Sequence, residues 1–286
     1  MEWPEVLGLV LGLIFVLFFI WALVYVFAIY LQEMKTYKKV HVLRFSLFTL
    51  KWIYGSAYFV ICLFPTWVSV GFQAFHPKVR ALGHKKAGVL ARWMFRSTFH
   101  EPEVVGMENL PAIPEDKGRG KFEHDAVIYV VNHQSMIDIA LFYFVERRFA
   151  WVSKSTVFTI PGVGWIMTMA QYIPLERGKG ESIAKMFGLC RKSLGASPEG
   201  DNTKKADSFS VTIFPQGTRR RFELLPFKAG AFQLAMETGC RVVPITMYLP
   251  PDIWFNPSAR GGDKCKLIVH KPMDPKDFKT MEAMRE

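Results

Sequence analysis

The stretch Ala126-Val127-Ile128-Tyr129-Val130-Val131-Asn132-His133-Gln134-Ser135-Met136-Ile137-Asp138 decides how the rest of the chain is read. Its first six residues are apolar and rich in β-branched side chains, without the polar alternation of a half-solvated strand. Such a run predicts a strand over 126–131 buried on both faces, as in a parallel sheet covered by helices. Polar residues begin at Asn132, where that strand ends. Ser135-x-x-Asp138 has the form of a capping box, which predicts a helix starting at Ser135.

Working outward, similar runs at 149–153, 210–214 and 242–249 predict further strands. Helical periodicity at 137–145, 182–194 and 227–237 alternates with them, and Gly239 stands where the last helix needs a C-cap. The polar stretches 115–125 and 197–208 read as surface loops. From about residue 104 onward the expected fold class is α/β, a mostly parallel sheet flanked by helices.

The other end of the chain has a different character. Residues 6–31 carry no charge, and this apolar run exceeds the ~20 residues that span a bilayer as a helix. A cleaved signal peptide would want a basic start and a small-residue cleavage site. The chain starts with Glu2 and Glu5 instead, so a retained N-terminal hydrophobic membrane helix is expected. A second apolar run, 52–75, contains Gly55 and Pro65, and Pro65 offers a place to break a helix.

The 36 basic and 25 acidic side chains give a net charge of +11. Between Met34 and His100 there is no Asp or Glu but eleven Lys and Arg, so the whole excess lies beside the apolar runs. Cations interleaved with apolar sequence fit an anionic membrane surface better than a nucleic acid, which is not an expected partner. Two full crossings would put Lys35–Arg44 and Lys78–Arg96 on opposite sides, against the positive-inside rule. A shallow or re-entrant second segment, or a first segment that dips in and returns, keeps both clusters on one side. In 78–99, Val79, Leu82, Val89, Leu90, Trp93 and Met94 share a helical face beside a stripe of Lys78, Lys85, Arg92 and Arg96. That pattern suits a helix in the membrane interface or one packed on a core. The expected organisation is a membrane-embedded segment (1–76), an amphipathic helix and linker (77–103) and a catalytic domain (104–286).

Cys62, Cys190, Cys240 and Cys265 stand far apart with no C-x-x-C pair, so reduced thiols are expected and neither a disulfide framework nor a metal site. Trp151, Trp165 and Trp254 read as core or interface residues.

In open α/β sheets ligands bind beyond the carboxyl ends of the strands. Polar chemistry gathers there: His133 after the first strand, Lys154 after the second, and Pro215-Gln216-Gly217-Thr218-Arg219 after the third, with Ile173-Pro174-Leu175-Glu176-Arg177 between them. His133 and Asp138 would not share the face of one regular helix. They meet if His133 precedes the helix and Asp138 lies in its first turn. Asp138 then either caps the helix alone or orients the imidazole as in a catalytic triad.

Asn132-His133-x-x-x-x-Asp138 resembles the signature of the glycerolipid acyltransferases, which include the 1-acylglycerol-3-phosphate acyltransferases. Phe214-Pro215-Gln216-Gly217-Thr218-Arg219 is similar to that family's Phe-Pro-Glu-Gly-Thr-Arg block. Lys154 and 173–177 are similar to its second block, Val243-Pro244-Ile245 to its fourth, and Lys228-Ala229-Gly230 to the run after the third. The resemblance covers roughly 104–249, with four blocks in order. Gln216 departs from the family's Glu: it keeps the shape and the hydrogen bonding but loses the charge.

The resemblance implies acyl transfer, in phospholipid biosynthesis, from a thioester donor to the free hydroxyl of 1-acylglycerol-3-phosphate (lysophosphatidic acid), giving phosphatidic acid. His133 would be the general base and Asp138 its orienting partner. Lys154, Arg177, Gln216, Gly217, Thr218 and Arg219 would bind substrate: arginine offers a fork to phosphate, and Gly217 lets backbone approach it. Lys228 is a further candidate toward the anionic substrate, and Arg220 and Arg221 are expected to be solvated or membrane-facing. Ser135 is a conceivable nucleophile, though the acceptor hydroxyl can attack the thioester directly. No cofactor is implied beyond acyl-CoA or acyl carrier protein as donor. The expected location is a membrane with the catalytic half facing the cytosol, a bacterial inner membrane or the endoplasmic reticulum. The other readings are a glycerol-3-phosphate or other lysophospholipid acceptor, a membrane-bound thioesterase or other hydrolase, and a non-catalytic lipid-binding protein.

Overall fold

Seven strands form one sheet in the order β1-β7-β6-β2-β5-β3-β4. They are β1 (Glu103–Val105), β2 (Ile128–Val131), β3 (Phe149–Lys154), β4 (Ile173–Leu175), β5 (Ser210–Ile213), β6 (Val242–Tyr248) and β7 (Lys266–Val269). Every neighbouring pair is parallel except β6 and β7. These elements come from a computed structural model, which describes residues 3–37, 39–71, 76–111, 126–160, 162–195, 208–221, 223, 225–255 and 264–286. The expected loops at 115–125 and 197–207 lie outside the described residues.

The central strand β2 is buried at all four positions, which is why its sequence is continuously apolar. It pairs with β5 through Ile128 and Val211 and with β6 through Ile128 and Val242. Helices α4 (Ile137–Phe142), α5 (Val163–Met169), α6 (Gly180–Leu194), α7 (Gly230–Thr238) and α8 (Met281–Arg285) complete this half. Gly239, at φ 67°, caps α7 in the left-handed region, as the sequence predicts. The helix after β2 starts at Ile137, two residues after Ser135, whose hydroxyl accepts from the Ile137 N–H. The reciprocal bond does form, from Ser135 N to Asp138 Oδ2 at 2.9 Å.

The first third of the chain is three helices, α1 (Trp3–Thr36), α2 (Val42–Ser69) and α3 (Pro77–Phe99). Both α1 and α2 are long and apolar enough to cross a membrane. Along its outer turns α1 exposes Leu9, Leu13, Phe15 and Leu17, an apolar surface that marks a lipid or protein contact. Helix α2 runs through Pro65 without a break. Pro65 stands one turn before the helix end, so the expected break does not form there.

Helix α3 turns a large part of its apolar face inward. Val79, Leu90 and Met94 are buried, with Phe95 and Phe99 beside them, whereas Val89 and Trp93 stay exposed. Its basic stripe is partly engaged by protein acceptors: Arg92 donates to the Tyr143 carbonyl and Arg96 pairs with Glu101. Lys51 lies over the Trp93 ring.

A turn after β6 ties the helical third to the sheet. Trp254 is fully buried, with ring centroids 5.2 Å from Phe45, 5.9 Å from Phe48 and 5.2 Å from Phe99. Its carbonyl accepts from Arg44 Nη1 at 2.5 Å. Trp151 is likewise buried, but Trp165 is exposed on α5 and belongs to no core. Removing a buried indole costs about 3–5 kcal/mol. Trp254→Ala should therefore lower the melting temperature in detergent by several degrees; an unchanged transition would mean that the helices are held elsewhere.

Candidate active site

The strands β2, β5, β3 and β4 lie side by side and parallel, so their carboxyl ends open on one edge. This geometry, set by the order of strands, gathers residues that are distant in sequence. His133 follows β2, the 214–219 turn follows β5, Lys154 ends β3 and Arg177 follows β4. A cavity of about 800 Å³ opens there, and His133, Lys154, Arg177, Gly217, Thr218 and Arg219 all line it, as does Lys228. The opposite wall is apolar and comes from α1, α2 and α3, with Ile29, Ile53, Leu90 and Met94 among its members.

Asn132 sets the direction of the turn after β2. Its amide side chain exchanges two hydrogen bonds with the Met247 backbone, donating at 2.9 Å and accepting at 2.7 Å, which continues the β2–β6 ladder by one side-chain pair. Gln134 Nε2 also donates to the Met247 carbonyl. The backbone then turns out of the sheet and presents His133 to the cavity.

Asp138 holds that turn from behind. It is fully buried, and its Oδ2 accepts from Gln134 N at 2.6 Å and Ser135 N at 2.9 Å, and bonds His133 Nδ1 at 2.8 Å. With the Nδ1 proton directed at a carboxylate, Nε2 carries the lone pair. Arg219 Nε donates to Nε2 at 3.3 Å, which fits that tautomer. The imidazole stacks on Phe214 with centroids 3.9 Å apart, and Phe214 stacks in turn on Trp151. Burial pushes the His133 pKa below its ordinary value; Asp138 pulls it up, and Arg219 and Arg177 add to the lowering.

Gly217 adopts φ 69°, and a Cβ there would stand 2.9 Å from Lys228 Nζ, so only glycine lets the loop and that lysine approach this closely. Asp138 and Gln216 do not line the cavity. Gln216 is buried, and its Oε1 has no hydrogen-bond partner among the described residues. Ser135 is also buried and off the cavity wall, its oxygen engaged by the Ile137 N–H and by the carboxylate of Glu33. Arg220 is exposed, as expected. Arg221 is not: it donates to the Leu249 carbonyl and lies over the Tyr37 ring.

Sequence reasoning misses Glu33. It is fully buried at the inner end of α1, accepts hydrogen bonds from the Ser135 hydroxyl at 2.8 Å and Met136 N at 3.0 Å, and lies 3.8 Å from Arg219 Nη1. The available signal is faint: Glu33 shares a helical stripe with the buried Ala22 and Val26, in a helix otherwise exposed on most sides. All four cysteines are free. Among the described residues no group of three or more His, Cys, Asp and Glu is placed to hold a metal ion.

Comparison with known proteins matches this architecture. A 1-acyl-sn-glycerol-3-phosphate acyltransferase of Chlamydomonas reinhardtii is 33% identical over 190 residues, 64% of this chain and 50% of the relative. One of Haemophilus influenzae is 29% identical over 58% of this chain and 63% of its own. The chain spans about half the length of the first of these. The crystal structure of the 1-acyl-sn-glycerophosphate acyltransferase PlsC from Thermotoga maritima superposes with a TM-score of 0.54, covering 84% of this chain and 89% of that one at 24% identity. The family model described as Acyltransferase matches residues 101–248, more than half of the chain, and the protein therefore belongs to the acyltransferase family.

Proposed function

We propose that the protein is a membrane-bound 1-acylglycerol-3-phosphate O-acyltransferase, transferring a fatty acyl group from a thioester to lysophosphatidic acid. The supporting observation is that His133, bonded to the buried Asp138, shares one cavity with Lys154, Arg177 and Arg219, opposite an apolar wall. The names of the relatives point the same way.

In this reading the acceptor hydroxyl gives its proton to His133 Nε2 as its oxygen attacks the thioester carbonyl carbon. The carbon–sulfur bond then breaks, and the imidazolium returns the proton to the departing sulfur, so that the thiol leaves and His133 is neutral again. Asp138 keeps the proton on Nδ1 and stabilises the charge that forms on the ring. No side-chain nucleophile is needed. Arg219 occupies Nε2 through its Nε, so the acceptor's phosphate has to draw the guanidinium aside before the hydroxyl reaches the base. Arg177 and Lys154 are both exposed at the cavity and supply further positive charge. The donor is acyl-CoA or acyl carrier protein.

The substrate enters from the membrane plane. Its tail would lose roughly 0.8 kcal/mol per CH₂ on leaving the bilayer for water. The apolar wall contributed by α1 and α2 continues into helices suited to lipid, so the tail need not cross water. The catalytic half faces the cytosol, on the side of the basic clusters.

His133→Ala should lower turnover at least ~10²-fold while the protein stays folded, because a positioned base contributes typically that much or more. Turnover near that of the parent would remove the mechanism. The base acts when neutral, and its pKa is depressed below the ordinary 6.5. kcat/KM should thus hold at pH 7 and fall only as pH drops below 6.5; an acid limb above 6.5 would contradict the assignment.

Arg219→Ala and Arg177→Ala should raise the KM for lysophosphatidic acid about tenfold or more while leaving that for the acyl donor nearly unchanged. A monoacylglycerol without phosphate should respond much less. Equal losses for both acceptors would place the arginines outside the phosphate site.

A further inference from the structure

We propose that Glu33, on the hydrophobic N-terminal helix, is a positioning residue of the active site that orients Arg219 and fixes the turn carrying His133. The inference rests on the acyl-transfer reading above and adds a residue outside the four sequence blocks.

The carboxylate is fully buried and makes contacts of one kind. The Met136 N–H donates to Oε1 at 3.0 Å, the Ser135 hydroxyl donates to Oε2 at 2.8 Å, and Trp254 Nε1 donates to Oε2 at 3.4 Å. Arg219 Nη1 stands 3.8 Å from Oε1. Three donors and a cation around one carboxyl group suit its ionised form, which accepts and never donates. An isolated carboxylate buried at the end of an apolar helix is costly and marks function when it has such partners.

Two carboxylates thereby grip the same turn from opposite sides. Asp138 holds the N–H groups of Gln134 and Ser135 and the imidazole, while Glu33 holds the Ser135 hydroxyl and the Met136 N–H. Arg219 bridges the two systems: its Nε meets His133 Nε2 and its Nη1 faces Glu33. Among the described residues, Glu33 is the carboxylate within ion-pair distance of this arginine. The loop's own side chain at 216 is a neutral amide. Glu33 therefore balances the charge of Arg219 and fixes which edge of the guanidinium faces the cavity. The groups surrounding Glu33 are Arg219, Asp138 and Tyr37. Those facing His133 are Asp138, Arg219 and Arg177, with Lys154 and Lys228 on the same cavity wall.

A packing role and a charge role rank two variants in opposite order. Glu33→Gln keeps the shape and removes the charge, whereas Glu33→Asp keeps the charge and shortens the chain. Under this proposal E33Q is the worse enzyme: kcat/KM for lysophosphatidic acid falls about tenfold or more, with the KM for the acyl donor within about twofold of the parent. With Arg219 no longer balanced, the neutral imidazole is favoured, and the acid limb of the pH profile moves down by about 0.5. E33D keeps the parental limb and loses less activity.

Parental kinetics in E33Q with impaired E33D would show that the residue only fills space and would overturn the proposal. So would an unmoved limb with equal losses toward donor and acceptor. If E33Q does not accumulate as folded protein, E33D alone decides: a loss confined to the acceptor supports the proposal, and equal losses toward both substrates overturn it. His133→Ala separates this inference from the reading beneath it. An active H133A variant removes the base mechanism whatever Glu33 does, while an inactive one beside a parental E33Q removes Glu33 alone.

Discussion

The hydrogen bond between His133 Nδ1 and the buried Asp138 is the constraint on which the rest of this structure turns. A carboxylate without solvent needs its donors close, and Asp138 Oδ2 finds them in two successive backbone N–H groups and an imidazole. To supply them, the chain has to leave β2 abruptly and delay its helix until Ile137. Asn132 makes that departure possible by replacing ladder hydrogen bonds with its own amide. The positions of β5, β3 and β4 follow outward from the same edge, so that each strand ends where its polar residue can face the imidazole.

The sheet was legible where burial on both faces forces continuous apolar sequence. β2, β5 and β6 fall within runs visible as such and β3 exceeds its run by Lys154 alone; the rule that ligands bind at strand carboxyl ends points to His133, Lys154 and Arg219, which line one cavity, and Arg177 joins them from the end of a strand that the pattern does not reveal. β1 and β4 are three residues long, too short for a readable period, and β7 alternates half-buried and buried positions instead of forming a continuous apolar run like that of β2. Helix α3 shows a different limit. Its periodicity gives the apolar face but not what covers it, and most of that face packs against protein. Arg221 was misread for a related reason: composition says where charge is abundant, whereas only the fold brings the Leu249 carbonyl and the Tyr37 ring to it.

Glu33 illustrates what sequence order hides. Its partners Ser135, Met136, Arg219 and Trp254 are at least a hundred residues away, and no local pattern links an apolar helix to a strand-end turn. The cost of burying a lone acid is the physical clue, since such a residue persists only when donors are provided for it. Gln216 carries the complementary lesson. Its position in a recognisable block suggested substrate contact, yet it is buried and is not among the residues lining the cavity, and a neutral amide is cheaper to bury than a carboxylate.

Helix α1 has two kinds of surface along one axis. Its outer turns are exposed on most faces and, beyond Glu5, uncharged and largely apolar, as a lipid-facing helix requires. Its inner turns are one-sided: Tyr25, Ala28, Ile29 and Gln32, at the i, i+3, i+4, i+7 spacing of a single face, line the cavity. At 1.5 Å per residue the helix is about 50 Å long, beyond the ~30 Å of hydrocarbon it would have to cross. The surplus is the part that reaches the sheet. A chain sliding along this wall would stay in contact with apolar side chains from the outer turns to the cavity. In the proposed membrane-bound arrangement the rigid helix would also fix the depth of the cavity relative to the membrane surface, a coupling that a flexible tether between an anchor and a catalytic domain would not provide.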